Sequence, residues 1–190
     1  MFERYTEQAR RAIFFARYEA AHQPVKKITT AHILIGLTRD VGSRADRVGS
    51  LTEHSTQLRN ELDIPCPKKT ATKQELMRDL PLNDNSKKVL AYAAQEAGLD
   101  GSYTIDTDHL LRALLRFPNE ASAALGSISL DLATAQTLSR RNRADFPDKR
   151  TLYIRLFGAP FRAHRPALLK LLAFVVALFL GAFVIHSLIY

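Results

Sequence analysis

The chain has 190 residues, enough for one well-packed domain or two very small ones with an appendage. Its formal charge of +8 is uneven: residues 1–139 carry 18 Lys/Arg against 17 Asp/Glu, whereas residues 140–190 carry 9 against 2. The nearly neutral front part argues against nucleic acid as a partner, and the single cysteine, Cys66, excludes an intramolecular disulfide framework and suits a reducing compartment.

The first eleven residues, MFERYTEQARR, are charged from the third position and lack the apolar core of a secretory signal. A first helix is predicted over Thr6 to Ala21, with Ala9, Ala12, Ile13, Ala16 and Ala20 at helical spacing and Thr6 as its cap. Thr30 is expected to cap a short second helix bearing Ile33, Leu34 and Leu37, and two more helices are predicted at Ser43 to Gly49 and Leu51 to Leu62. PCPKKTATK, from Pro65 to Lys73, reads as a polar linker bounded by prolines.

A shift of 77 residues brings the chain back onto itself without a gap. ARRAIFFARYEA (Ala9 to Ala20) meets SKKVLAYAAQEA (Ser86 to Ala97), and the stretch Ile28 to Arg39 meets Ile105 to Arg116. Ala16/Ala93, Glu19/Glu96, Ala20/Ala97, Thr30/Thr107, His32/His109, Leu34/Leu111, Leu37/Leu114 and Arg39/Arg116 are identical pairs. The second set of helices therefore starts after Asn83, continues from Thr107 with Leu110, Leu111 and Leu114, and closes at Asn119 to Leu125 and Ser129 to Leu138. Each half is too small to bury much core alone, so the two are expected to pack as one pseudo-twofold, all-α domain.

Beyond it, a basic segment (140–166) leads to LLAFVVALFLGAFVI, Leu171 to Ile185, which has no polar side chain. The wider run from Ala167 to Ser187 is interrupted only by Lys170 and His186. At about 1.5 Å per residue it is roughly 31 Å long, close to the thickness of a bilayer's hydrocarbon core. One C-terminal transmembrane helix is expected over 167–189, with Leu171, Phe174, Phe179 and Phe183 among its membrane-anchoring residues. Arg155, Arg162, Arg165 and Lys170 flank it on the N-terminal side, and no charged side chain follows it. The positive-inside rule then leaves the N-terminal domain cytoplasmic and the C-terminus on the far side, a single-pass, tail-anchored topology. The same cations would meet anionic lipid headgroups. Ala173, Ala177 and Gly181 place small residues on one helical face, where a homo-oligomer could pack.

Three stretches carry a family resemblance. FERYT, Phe2 to Thr6, resembles the F-x-x-[FY]-T start of the Clp N-terminal domain, and TAHILIGL and TDHLLRAL resemble its T-E-H-[IL]-L-x-[GA]-L signature. The resemblance runs from about Phe2 to Ser139 and implies two tandem Clp repeats, 1–64 and 79–139, joined by a linker at 65–78. No G-x-x-x-x-G-K-[ST] phosphate loop occurs in these 190 residues, so the expectation is a recognition domain without the motor of Clp-type unfoldases. Family members recruit substrates or adaptors, and some recognise phosphorylated arginine with the glutamate of T-E-H and a threonine at the first helix cap. Carried over by position, the first such site has Thr6 but Ala31 in place of glutamate; the second has Asn83 and Asp108. Thr6, Asn83 and Asp108 are the candidate peptide-binding residues.

His32 and His109 repeat, but each heads a short helix, where a local capping or packing bond is the expected role. No metal or cofactor is indicated, and no nucleophile, acid or base constellation points to an enzyme. The expected function is capture of a protein client or adaptor at the cytoplasmic membrane surface, with a Clp-type ATPase as a conceivable partner. An oligomerising scaffold of a membrane assembly is the alternative.

Overall fold

The computed structural model describes residues 3–67 and 78–145. The proposed anchor residues Leu171, Phe174, Phe179 and Phe183, the flank residues Arg155, Arg162, Arg165 and Lys170, and most of the linker lie outside the described residues. Among the described residues, no helix is long and apolar enough to cross a membrane.

The described residues form eight helices in order: α1 (Glu7–Ala21), α2 (Thr30–Thr38), α3 (Arg44–Gly49), α4 (Ser55–Glu61), α5 (Asp84–Leu99), α6 (Thr107–Leu115), α7 (Glu120–Ser127) and α8 (Leu132–Asp145). The starts of α1, α2 and α4 recur 77 residues later in α5, α6 and α8. Thr6 and Asn83 cap α1 and α5, accepting from the N–H of Ala9 and of Ser86, as their sequence positions predict.

The caps of the second helices lie one residue earlier than expected. Thr29 and Asp106 hold the extended cap conformation, and Thr30 and Thr107 are already helical. The histidines decide this. His32 Nδ1 accepts from the Thr29 N–H at 3.1 Å, and His109 Nδ1 accepts from the Asp106 N–H at 2.8 Å, so each closes a capping box that places the cap three residues upstream. Helix α4 begins later than the predicted Leu51, because Thr52 is held in a turn by its N–H on Asp46 Oδ1 (2.8 Å). Ser129 takes a positive φ of 57°, so α8 starts at Leu132, not Ser129, and runs on to Asp145.

The helical hairpins α1–α2 and α5–α6 form the centre. Gly36 of α2 lies so close to α1 that an added Cβ would stand 2.2 Å from the Ala12 carbonyl oxygen. Helix contacts between the halves come in reciprocal pairs: α1 with α6 and α5 with α2, α3 with α6 and α7 with α2, α3 with α8 and α7 with α4. The buried apolar side chains join one core, in which Ile33, Leu34, Ile35 and Leu37 of α2 meet Leu110, Leu111 and Leu114 of α6. The two halves share this one cluster and fold as one body.

Two short extended crossings complete the exchange. The Ile105 N–H donates to the Arg4 carbonyl (2.7 Å) and the Thr6 N–H to the Ile105 carbonyl (2.9 Å), forming a parallel bridge between Tyr5 and Ile105. Ile28 and Leu82 form the other, with the Ile28 N–H donating to the Pro81 carbonyl and the Asn83 N–H to the Ile28 carbonyl, both at 2.9 Å. Subtracting 77 from Leu82 and Ile105 gives Tyr5 and Ile28, so the bridges are pseudo-twofold copies in which each repeat's entry segment bridges to the other.

Candidate functional site: paired apolar grooves

Beside each bridge, the first helix of a repeat leaves an open groove. The first groove, of about 460 Å³, has Arg10, Ile13, Phe14 and Arg17 of α1 on one side and Ile28, Leu80, Pro81 and Leu82 on the other. The second, of about 350 Å³, has Lys87, Leu90, Ala91 and Ala94 of α5 facing Ile105, Arg4 and Tyr5. Apart from Leu80, whose partner position is Glu3, every position of the first groove has its partner under the 77-residue shift in the second. Leu82 also lines the second groove, so the two meet at that side chain.

The spacing 10, 13, 14, 17 is one face of a helix, separate from the buried stripe Ala9, Ala12, Ala16 and Ala20 that faces α2. Phe14 remains 57% exposed at the groove wall. The linings are alkyl and aromatic, the rims carry Arg4, Arg10, Arg17 and Lys87, and neither contains an acid. Burial holds the Tyr5 hydroxyl above its ordinary pKa, with Arg4 acting in the opposite sense, so the phenol is neutral near pH 7. Such walls suit apolar side chains whose neighbours carry negative charge.

Buried ion clusters hold these helices in place. Glu19 of α1, 1% exposed, is gripped by Arg39 at 3.0 Å and by Arg59 through two bonds of 3.0 and 2.7 Å. Its counterpart Glu96 in α5 is bound by Arg116 and Arg112, each at 3.1 Å, and Arg112 also pairs with Asp100. Arg39 lies 5.2 Å from the Phe15 ring and Arg116 4.9 Å from the Tyr92 ring, an equivalent stacking in each repeat.

The three residues singled out from sequence are placed differently from one another. Thr6 caps α1 and donates its hydroxyl to Asp106 Oδ1 (3.0 Å). Asn83 is half-buried at the start of α5, its side-chain oxygen taken by the Ser86 N–H at 2.7 Å. Asp108 is 1% exposed and accepts a hydrogen bond from Ser139 of α8. The carboxylate is therefore turned into the domain, bonded to Ser139, whereas the Asn83 side chain is held by the Ser86 N–H.

The groove residues escaped the sequence reading. The available signal was Phe14, a large apolar side chain off the buried alanine stripe with Arg10 and Arg17 on the same face. The missing half was the opposite wall, which comes from residues about 70 positions away and follows no local pattern.

Comparison with known proteins agrees with this architecture. The model of the Clp repeat (R) N-terminal domain matches residues 4–143. The negative regulator of genetic competence ClpC/MecB of Bacillus subtilis (strain 168) is 29% identical over 142 residues, covering 73% of this chain and 17% of that protein. The ATP-dependent Clp protease ATP-binding subunit ClpA homolog of Guillardia theta is 30% identical over 139 residues, 72% of this chain and 17% of its own length. This chain thus spans about a sixth of these relatives. Among solved structures, the N-terminal domain of the caseinolytic protease associated chaperone ClpD from Arabidopsis thaliana superposes with a TM-score of 0.57 at 19% identity, over 75% of this chain and 96% of that one. The N-terminal domain of the ClpV1 ATPase from the E. coli EAEC Sci1 T6SS gives 0.54 at 22% identity, over 75% and 88%. These likenesses concern the fold. With a family model covering nearly all the described residues and the repeat signature present in both halves, the chain belongs to the Clp repeat (R) N-terminal domain family.

Proposed function

We propose that this chain is a non-catalytic capture module that holds a polypeptide segment of a client or adaptor protein in its paired grooves and is tethered to a membrane by its C-terminal apolar run. The observation that carries the binding half is the pair of equivalent grooves, each apolar along its walls, cationic at its rim and open to solvent. A binding module needs this kind of surface: apolar area to desolvate, and charge to orient what docks. The relatives' names, ATP-binding subunits of a Clp protease among them, make a Clp-type ATPase a candidate downstream partner.

The tether rests on residues 167–189 and their basic flank, with the domain on the cytoplasmic side. Confinement to a bilayer raises the effective concentration of the grooves toward other membrane-bound proteins. Photo-crosslinking from position 14, in the full chain expressed in cells, tests both halves. Crosslinks to polypeptides in the membrane fraction support the reading. Crosslinks absent from position 14 but present from a distant surface position would remove the grooves from it, and recovery of the chain only in the soluble fraction would remove the tether.

A further inference from the structure

Two of the four rim cations are paired with acids and two bond backbone carbonyls. Arg10 pairs with Glu7 at 2.9 Å and Lys87 with Asp84 at 3.0 Å, each one helical turn away. Arg4 donates its Nε to the Tyr103 carbonyl (3.1 Å) and lies 5.7 Å from the centre of that ring. Arg17 donates one Nη2 bond, 2.7 Å, to the carbonyl of Arg78, and no acidic side chain among the described residues lies within 4 Å of it. The Arg78 guanidinium is in turn used on the carbonyls of Gln23 and Val25.

A guanidinium has five N–H donors in a planar fork. The single bond to a backbone oxygen fixes where the Arg17 fork sits without cancelling its charge, and further donors are left for a ligand. Its pseudo-twofold partner is Ala94, and the partner of Phe14 is Ala91. The first groove thus joins an exposed aromatic ring to a guanidinium with no acid beside it among the described residues, one turn along the same helix face, whereas the second has two alanines at those positions and its Arg4 guanidinium lies against Tyr103.

We propose that Arg17 is the specificity-determining residue of the first groove, selecting segments in which a carboxylate follows an apolar anchor, and that the second groove lacks this selection. The inference rests on the grooves being polypeptide-binding sites. The ligand is an acidic, leucine-rich stretch of protein; the apolar side chain sits on Ile13 and Phe14 and the carboxylate meets the guanidinium.

Fluorescence anisotropy with the full chain and two labelled nonapeptides, leucine alternating with glutamate or with glutamine, separates the possibilities. The glutamate peptide should bind about tenfold more tightly, the worth of one charge-assisted hydrogen bond, and the preference should shrink as salt is raised. Arg17→Ala should remove the preference, Arg17→Lys should keep part of it, and Ala94→Arg should enlarge it. An unchanged preference in Arg17→Ala overturns this proposal. The groove reading fails separately if Phe14→Asp combined with Ala91→Asp leaves binding of the glutamine peptide intact, and both fail if the glutamate peptide does not bind the native chain.

Discussion

The two repeats hold the same glutamate with different arginines. Glu19 and Glu96 occupy equivalent buried positions, and Arg39 and Arg116 reach them from equivalent places at the ends of α2 and α6. The second arginine comes from elsewhere in each: Arg59 of α4 in the first repeat, Arg112 within α6 in the second. Position 59 corresponds to Gln136, and position 112 to Ile35. A buried carboxylate needs compensation, but the constraint falls on the charge delivered and not on the residue delivering it, so duplicated halves can diverge around it. The second repeat carries the change further. Asp100, Asp108 and Arg112 stand where the first has Gln23, Ala31 and Ile35, which makes its interior more ionic and couples α6 to α8 through Asp108 and Ser139.

The largest expected effect breaks that ionic interior. Arg112 is 2% exposed, so Arg112→Met leaves Glu96 and Asp100 with one cation fewer in a site closed to water, and about 3–5 kcal/mol of stability should be lost in urea titration. Arg59→Met in the first repeat should cost less, about 2 kcal/mol, because Arg59 serves one carboxylate where Arg112 serves two, and lies nearer the surface. Equal losses would mean that the two clusters are interchangeable after all.

Helix packing offers the next test. Gly36 touches the backbone of Ala12 and Ala16, whereas the corresponding pair in the second repeat is Ala113 and Val89. Gly36→Ala gains helix propensity but forces α1 and α2 apart, for a net loss of about 2 kcal/mol. The mirror change, Ala113→Gly, meets no clash and should cost about 1 kcal/mol. Thermal or chemical denaturation of the two variants checks the difference, and a neutral Gly36→Ala would show that the tight hairpin can relax.

A smaller effect concerns the caps. Asp106 is the junction of the halves: Thr6 and Thr107 donate to Oδ1, and Arg44 approaches Oδ2 at 3.1 Å. Asp106→Ala should cost about 2 kcal/mol, while Thr29→Ala, at the equivalent cap, should cost about 1 kcal/mol. Hydrogen exchange should show the Thr6 amide losing protection only in the Asp106 variant.

The smallest effect depends on pH. Burial lowers the His32 pKa below its ordinary value, although Glu120 and Glu19 pull it upward. The unfolded chain therefore binds the proton more readily than the folded one, so stability is fully present above the unfolded value near 6.5 and is lost as pH falls toward the folded one. Urea midpoints measured from pH 7.5 downward should fall, and His32→Gln should flatten that part of the curve. A midpoint that rises on acidification would contradict the buried, neutral imidazole.

Much of the fold was legible because it is local. Alanine and leucine spacing marks α1, α2, α5 and α6, the Thr6 and Asn83 caps start the first helices of each half, and the 77-residue shift announces the duplication. The misplacements have local causes that spacing does not encode. His32 and His109 accept from the residue three before them and so move a cap by one position, and left-handed residues such as Ser129 delay the helix that follows.

The sequence by itself determined the period, the helical elements, the neutral front part and the apolar C-terminal run, since each depends on neighbours within a few residues or on simple composition. Only the tertiary structure decided that the repeats bridge their entry segments to each other, that Asp108 turns inward to Ser139, and that Phe14 and Arg17 line a groove with Leu82. Those facts join residues tens of positions apart. They are set by burying one shared core and satisfying its charges, a requirement on the folded chain as a whole that no local pattern records.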